Sequence, residues 1–87
     1  MLSINQQIEL AAKLLRLSIE DARKYHYVID EDSLVYVGVP EKGGDAIIVG
    51  KDGTVLYANS SVGYSRHLDE YRKGTRTPLE AFDEVAE

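Results

Sequence analysis

The chain has 87 residues, 44% hydrophobic and 29% charged, with a net charge of −5 and no cysteine. That length makes one domain, residues 1–87, whose single modest core buries roughly 60–65% of the surface the unfolded chain exposes. The lack of cysteine excludes disulfide staples and thiolate metal sites, and ten basic against fifteen acidic residues disfavour nucleic acid as a partner.

Ser3 followed three residues later by Gln6 has the spacing of a capping box, and Ile4, Ile8, Ala11, Ala12, Leu15 and Ile19 recur at helical intervals. A helix therefore opens the chain. It runs unbroken to about Tyr25, or it breaks near Leu17, where Ser18 has the chemistry to cap a second short helix. From His26 the period becomes two: Tyr27 and Ile29 share one strand face, His26 and Val28 the other. Asp30-Glu31-Asp32-Ser33 reads as a turn. Leu34 to Val39 is a second strand, with Val35, Val37 and Val39 on one face and Leu34, Tyr36 and Gly38 on the other. Pro40-Glu41-Lys42-Gly43-Gly44 ends it.

The stretch Asp45-Ala-Ile-Ile-Val-Gly-Lys-Asp-Gly-Thr-Val-Leu-Tyr-Ala-Asn59 is a hairpin, two β-rich runs joined where Gly50, Asp52 and Gly53 tolerate turn geometry. Beyond Asn59, Tyr64, Leu68 and Tyr71 recur at i, i+4 and i+7. This predicts a helix with Ser61 or Ser65 as N-cap and Gly74 as the left-handed residue past its end. Thr77-Pro78-Leu79-Glu80 carries the N-cap, first-turn proline and capping-box acid of a terminal helix, with Leu79, Phe82 and Val85 on its apolar side. The expected fold is α+β: an N-terminal helix, a four-stranded antiparallel meander, and one or two C-terminal helices packed on the sheet. Leu15, Ile29, Val37, Ile48, Val55, Leu68 and Phe82 are the expected core.

The segment from Met1 to Asn5 lacks the basic and apolar runs of a secretion signal, and no run of about 18 apolar residues occurs, so a cytoplasmic protein with no membrane segment is expected. Asn59-Ser60-Ser61 matches the glycosylation triplet, which has no meaning without secretion.

No constellation names a reaction. His26 and His67 lack the neighbours that metal binding needs, so no metal site and no cofactor is expected. Ser65, His67 and Asp69 include a nucleophile, a base and an acid, but helical residues two apart point about 200° apart and cannot relay a proton. His67 is read as part of a solvated helix face. Gly43, Gly44, Gly50 and Gly53 fit neither phosphate-loop spacing, and Asp52 stands where a phosphate loop needs Ser or Thr after Gly50-Lys51. Asp30, Glu31 and Asp32 lack the central glycine of a calcium loop. Asp69 with Glu70 and Asp83 with Glu84 are adjacent carboxylates with nothing to move their pKa values apart. A catalytic role is therefore not expected.

The oddity is six tyrosines and no tryptophan. Tyr27, Tyr36 and Tyr57 all lie on strands, and a tyrosine offers a large rigid face with a polar tip. With the acidic turn Asp30, Glu31 and Asp32 they form the candidate partner-binding set, suited to another protein of basic character. The alternative is that the rings sit at the wet rim of a small core. A core this small would also gain from a second subunit covering exposed sheet, so a homodimer is among the expectations.

Residues 9–25 look like a bacterial helix-turn-helix, with Ser18 opening the would-be recognition helix. This makes a small DNA-associated regulator the alternative function. Against it, Arg16 stands where such motifs place a turn glycine, and Glu20 and Asp21 would face phosphates.

The second half, from Gly43-Gly-Asp-Ala-Ile-Ile-Val-Gly-Lys-Asp-Gly-Thr-Val-Leu-Tyr57 to His67-Leu-Asp-Glu-Tyr71, resembles the small bacterial domains classed as immunity protein 35. Those domains share the apolar strand, the Gly-containing turn, a second strand and a helix of Leu-x-x-Tyr type, after an N-terminal helix. The chain departs from them at Gly50, where an acidic residue is frequent, and at Val62-Gly63, where a proline often precedes the helix. The resemblance implies a stand-alone, non-enzymatic protein that neutralises a toxin domain by binding it, and it transfers no catalytic residues.

Overall fold

The computed structural model describes residues 1–29, 33–39, 45–59 and 61–85, except for the side chains of Val39 and residues 83–85. The turns expected at 30–32 and 40–44, and the contribution of Val85 to the terminal helix, lie outside what it describes.

The chain runs α1 (Ile4–Leu15), α2 (Ile19–Lys24), β1 (His26–Ile29), β2 (Leu34–Val39), β3 (Asp45–Val49), β4 (Val55–Ala58), α3 (Tyr64–Arg72) and α4 (Leu79–Val85). The expected capping box forms: the Gln6 N–H donates to Ser3 Oγ at 3.1 Å and the Ser3 N–H to Gln6 Oε1 at 2.8 Å. The open question about the first helix resolves as two helices. Arg16 turns left-handed at φ 58°, and Ser18 Oγ accepts the Asp21 N–H at 3.1 Å to start α2. The left-handed site falls where the helix-turn-helix pattern wants glycine.

The four strands form an antiparallel meander in the order β1-β2-β3-β4. Tyr27 pairs with Tyr36, Tyr36 with Ile48 and Ile48 with Leu56, so these residues share one face across the sheet. Val35, Val37, Ile47, Val49 and Val55 share the other.

Helices cover both faces of the sheet. Ile8, Ala11 and Ala12 of α1 and Ala22 of α2 pack on the valine face, with Phe82 of α4 alongside. Leu68 and Tyr71 of α3 pack on the face of Ile29, Leu34, Ile48 and Leu56. This explains β3, where Ala46, Ile47, Ile48 and Val49 are all buried: a strand covered on both sides is apolar continuously rather than alternately. Of the expected core, Ile29, Val37, Ile48, Val55 and Leu68 are buried. Leu15 and Phe82 are half-buried against the valine face. No helix among the described residues is long and apolar enough to cross a membrane.

Two other expectations are corrected. The N-cap of α3 is Gly63, with no side-chain cap bond, rather than Ser61 or Ser65. Ser61 instead folds onto Asn59, its N–H donating to Asn59 Oδ1 at 3.0 Å. Thr77 was expected to cap the last helix, yet its Oγ1 accepts the Tyr57 N–H at 2.9 Å and its own N–H donates to Val55 O at 2.8 Å. The residue is thus spent on the outer edge of β4. At the far end of α3, Gly74 adopts the left-handed φ of 103° that the sequence called for.

Candidate functional site

The period of two in β1 and β2, together with their register, puts Tyr27 and Tyr36 directly opposite one another on the α3 face. The first turn of α3 brings Tyr64 onto both. Its ring centroid lies 6.1 Å from that of Tyr27 and 4.9 Å from that of Tyr36, edge to face in each case. Tyr36 then meets His67 at 5.7 Å. Gly38 makes room for this arrangement, since a Cβ there would lie 3.0 Å from the Tyr36 ring. The result is an aromatic ladder running from the β1 edge inward, with Tyr27 60% and Tyr64 39% exposed. Burial, and then the neighbouring ring, holds the Tyr36 and Tyr64 phenols above their ordinary value. They remain neutral hydrogen-bonding tips over the physiological range.

Tyr57 stands apart. It faces the opposite side of the sheet, 37% exposed, with its ring 6.1 Å from that of Phe82. Burial, and then the Asp45 carboxylate nearby, raises its pKa. The three tyrosines singled out from the sequence therefore divide: Tyr27 and Tyr36 come together, and Tyr57 does not join them. Asp30, Glu31 and Asp32 lie outside the described residues.

Sequence reasoning missed Tyr64 and His67 as members of this cluster. Residues 64, 67, 68 and 71 form one helical stripe, and this spacing was the available signal. His67 overturns the expectation of a solvated position. Its side chain is 1% exposed, with Nε2 donating to the Leu56 carbonyl at 2.7 Å. In that tautomer Nδ1 is a bare acceptor, and it has no hydrogen-bond partner. Burial holds the imidazole below its ordinary value, against a smaller opposing effect from the Leu56 hydrogen bond. A neutral, fixed histidine thus supports Tyr36 from below.

Two clefts lie elsewhere. One of about 310 Å³ runs beside β4 and α3, with Arg66 and Glu70 among its lining residues. An apolar one of about 260 Å³ lies between Leu14, Leu15, Tyr57 and Phe82. Among the described residues no group of three or more His, Asp or Glu side chains could hold a metal ion.

Compared with protein-family models, curated proteins and solved structures, the chain matches none.

Proposed function

We propose that the chain is a non-enzymatic protein-binding module whose partner docks on the Tyr27–Tyr36–Tyr64 cluster. The observation that supports it is the ladder itself. The Tyr64 ring is held edge to face against both Tyr27 and Tyr36, and Tyr36 in turn meets a buried histidine, so an aromatic contact surface is ordered before any partner arrives. Pre-ordering removes much of the side-chain entropy cost of binding, and tyrosine is among the residue types enriched at the centre of such contacts. The net charge of −5 favours a basic partner by steering its approach.

In its sharper form, the module is a cytoplasmic bacterial immunity-type protein, and its partner is a toxin domain that it neutralises by binding. Support for that form is the resemblance of residues 43–71 to immunity protein 35 domains. The DNA-regulator alternative has less behind it. α1 and α2 are consecutive helices, but Ala22 of the second is buried in the core, and Glu20 and Asp21 lie in its first turn.

The test is a calorimetric titration of the chain against the products of the genes that flank its own, with duplex DNA as a second arm. Tyr27→Ala and Tyr64→Ala should each weaken protein binding by roughly tenfold or more, as expected of contact-centre residues. Tyr57→Ala, on the far face, should not. Equal losses from all three variants, or salt-dependent binding to DNA alone, would refute the assignment.

A further inference from the structure

The outer side of β4 offers two successive hydrogen-bonding positions, and the chain fills the first. The Thr77 N–H donates to the Val55 carbonyl at 2.8 Å, and Thr77 Oγ1 accepts the Tyr57 N–H at 2.9 Å. One residue thus bridges a carbonyl and the N–H two residues on, as a residue of a parallel neighbouring strand does, with its hydroxyl standing in for a carbonyl. Backbone groups of alternate residues point to the same side of a strand, so the Tyr57 carbonyl and the Asn59 N–H come next on that side. Among the described residues neither has a hydrogen-bond partner.

This second position opens into the cleft of about 310 Å³ beside β4 and α3, which Tyr57 and Asn59 both line. Helix α3 brings two opposite charges to the same cleft, Arg66 and Glu70. They lie one turn apart on one helical face, where such residues commonly pair. Here they do not. The Glu70 carboxylate is turned to Lys73 Nζ at 3.4 Å and Thr75 Oγ1 at 3.3 Å, and Arg66 has no ion-pair or hydrogen-bond partner among the described residues. His67, also in the wall, is neutral and has its Nε2 committed to the Leu56 carbonyl, so it adds no charge.

We propose that this cleft binds a free α-amino acid with an apolar side chain, its carboxylate on Arg66 and the Asn59 N–H and its ammonium group on Glu70 and the Tyr57 carbonyl.

The charge balance selects that ligand. With one cation and one anion in the wall, a simple carboxylate would meet Glu70 and a simple amine would meet Arg66, whereas a zwitterion answers both. The covalent spacing agrees. The donor nitrogen and accepting oxygen of Thr77 are joined through two carbons, as are the ammonium nitrogen and a carboxylate oxygen of an α-amino acid. The ligand therefore repeats at the second position the bridge that Thr77 makes at the first. Leu56, Ala58 and Val62 give its side chain an apolar wall. The volume is at the low end for ligand sites, which suits a small molecule.

Tyr27, Tyr36 and Tyr64 do not line this cleft, and the inference stands without the docking surface proposed above. The full chain is titrated with L-alanine, L-valine and L-leucine at millimolar concentration and followed through its amide NMR signals. Saturating shifts at Asn59, Arg66 and Glu70 are expected with at least one of them. Arg66→Gln and Glu70→Gln, both outside the buried core, should each weaken binding by roughly tenfold, the loss of one charge-assisted contact. Unchanged circular dichroism will show that the variants are folded. The N-acetyl derivative of the amino acid that binds lacks the ammonium group, and its methyl ester lacks the carboxylate, so each should bind more weakly by a similar factor. Tyr27→Ala should leave amino-acid binding as it was. Amide signals unmoved by all three amino acids would overturn the proposal, as would an N-acetyl derivative that binds as tightly as its parent, or an affinity indifferent to both substitutions. A chain that ignores amino acids yet binds a protein through Tyr27 would sink this site alone and leave the binding module standing.

Discussion

Gly50 ends β3, and the structure gives it a reason to be glycine that is separate from turn geometry. A Cβ at this position would overlap the Tyr71 hydroxyl, while the ring carbon bearing that hydroxyl stands 3.3 Å away. Tyr71 cannot easily retreat. It is buried, its hydroxyl lies 3.0 Å from Thr54 Oγ1, and the Arg76 guanidinium covers its ring at 3.5 Å. Gly50→Ala should therefore overpack the site at a cost of about 2 kcal/mol, and about 1 more is lost with the Tyr71–Thr54 hydrogen bond. The stiffer unfolded chain returns about 0.5, for a net loss of about 2.5 kcal/mol. Tyr71→Phe alone removes only the hydrogen bond, at about 1 kcal/mol, because Thr54 Oγ1 keeps Asp52 and Arg76 as partners. In the double variant the overlapping atom is absent. The Ala methyl then meets the ring edge and, at 2.9 Å, Asp52 Oδ1, an exposed oxygen that needs to give only a few tenths of an ångström and so keeps its Thr54 bonds. The pair should cost about 1 kcal/mol, against about 3.5 if the two changes were independent. Urea unfolding followed by circular dichroism reads this directly. At a slope of about 1 kcal/mol per molar urea, Gly50→Ala should lower the midpoint by about 2.5 M and Tyr71→Phe should restore most of it. Additive losses, or a Gly50→Ala chain as stable as the parent, would refute the steric account.

Gln7 sits within the apolar stripe of α1 and is fully buried, donating from Nε2 to Ser33 O and Val49 O at 2.9 Å each. Gln7→Leu, a change that sequence patterning alone would favour, should instead destabilise the chain by about 2 kcal/mol in the same urea assay, because it strands two carbonyls. Thr77→Val keeps the shape but removes the acceptor for the Tyr57 N–H, costing about 1 kcal/mol and opening the β4 edge. Light scattering should then show association that the parent lacks at that edge, with Tyr57→Cys becoming cross-linkable in the variant. His67 makes stability depend on pH. Above its ordinary value of about 6.5 the imidazole is neutral in both states; below that value the unfolded chain takes up the proton before the native one does. Stability should thus fall as pH drops through 6.5, by at most about 1.4 kcal/mol per unit from this group, until the native site also protonates. His67→Gln should flatten that part of the curve, and an unchanged slope would show that another group is responsible.

Local chemistry made much of the architecture legible before any coordinates. Ser3 and Gln6 announce a helix start because their capping bonds close within one turn. The Gly-Lys-Asp-Gly segment announces a hairpin because few other residues tolerate its turn, and Asp52 Oδ1 does hold the Thr54 N–H at 3.0 Å there. Side-chain parity within each strand was equally readable, since alternate residues must point to opposite faces.

Relations between elements were not readable in this way, because they depend on how one strand's phase meets the next. Tyr57 and Tyr36 each alternate correctly in their own strands. Only the pairing of Tyr57 with Ile47 and of Tyr36 with Ile48 puts them on opposite sides of the sheet. Gln7 and His67 are polar residues on apolar stripes, and burying either is affordable only if a carbonyl waits at the right place. Those carbonyls belong to Ser33 and Val49 for Gln7, and to Leu56 for His67, and they are positioned only once helix and sheet have packed. Composition, caps and periodicity determined the helices and strands and their order, since each is settled within a few neighbouring residues. Packing alone decided that both faces are covered, that three tyrosines meet beside β1 and that one edge is closed, since each of these joins residues distant in the chain.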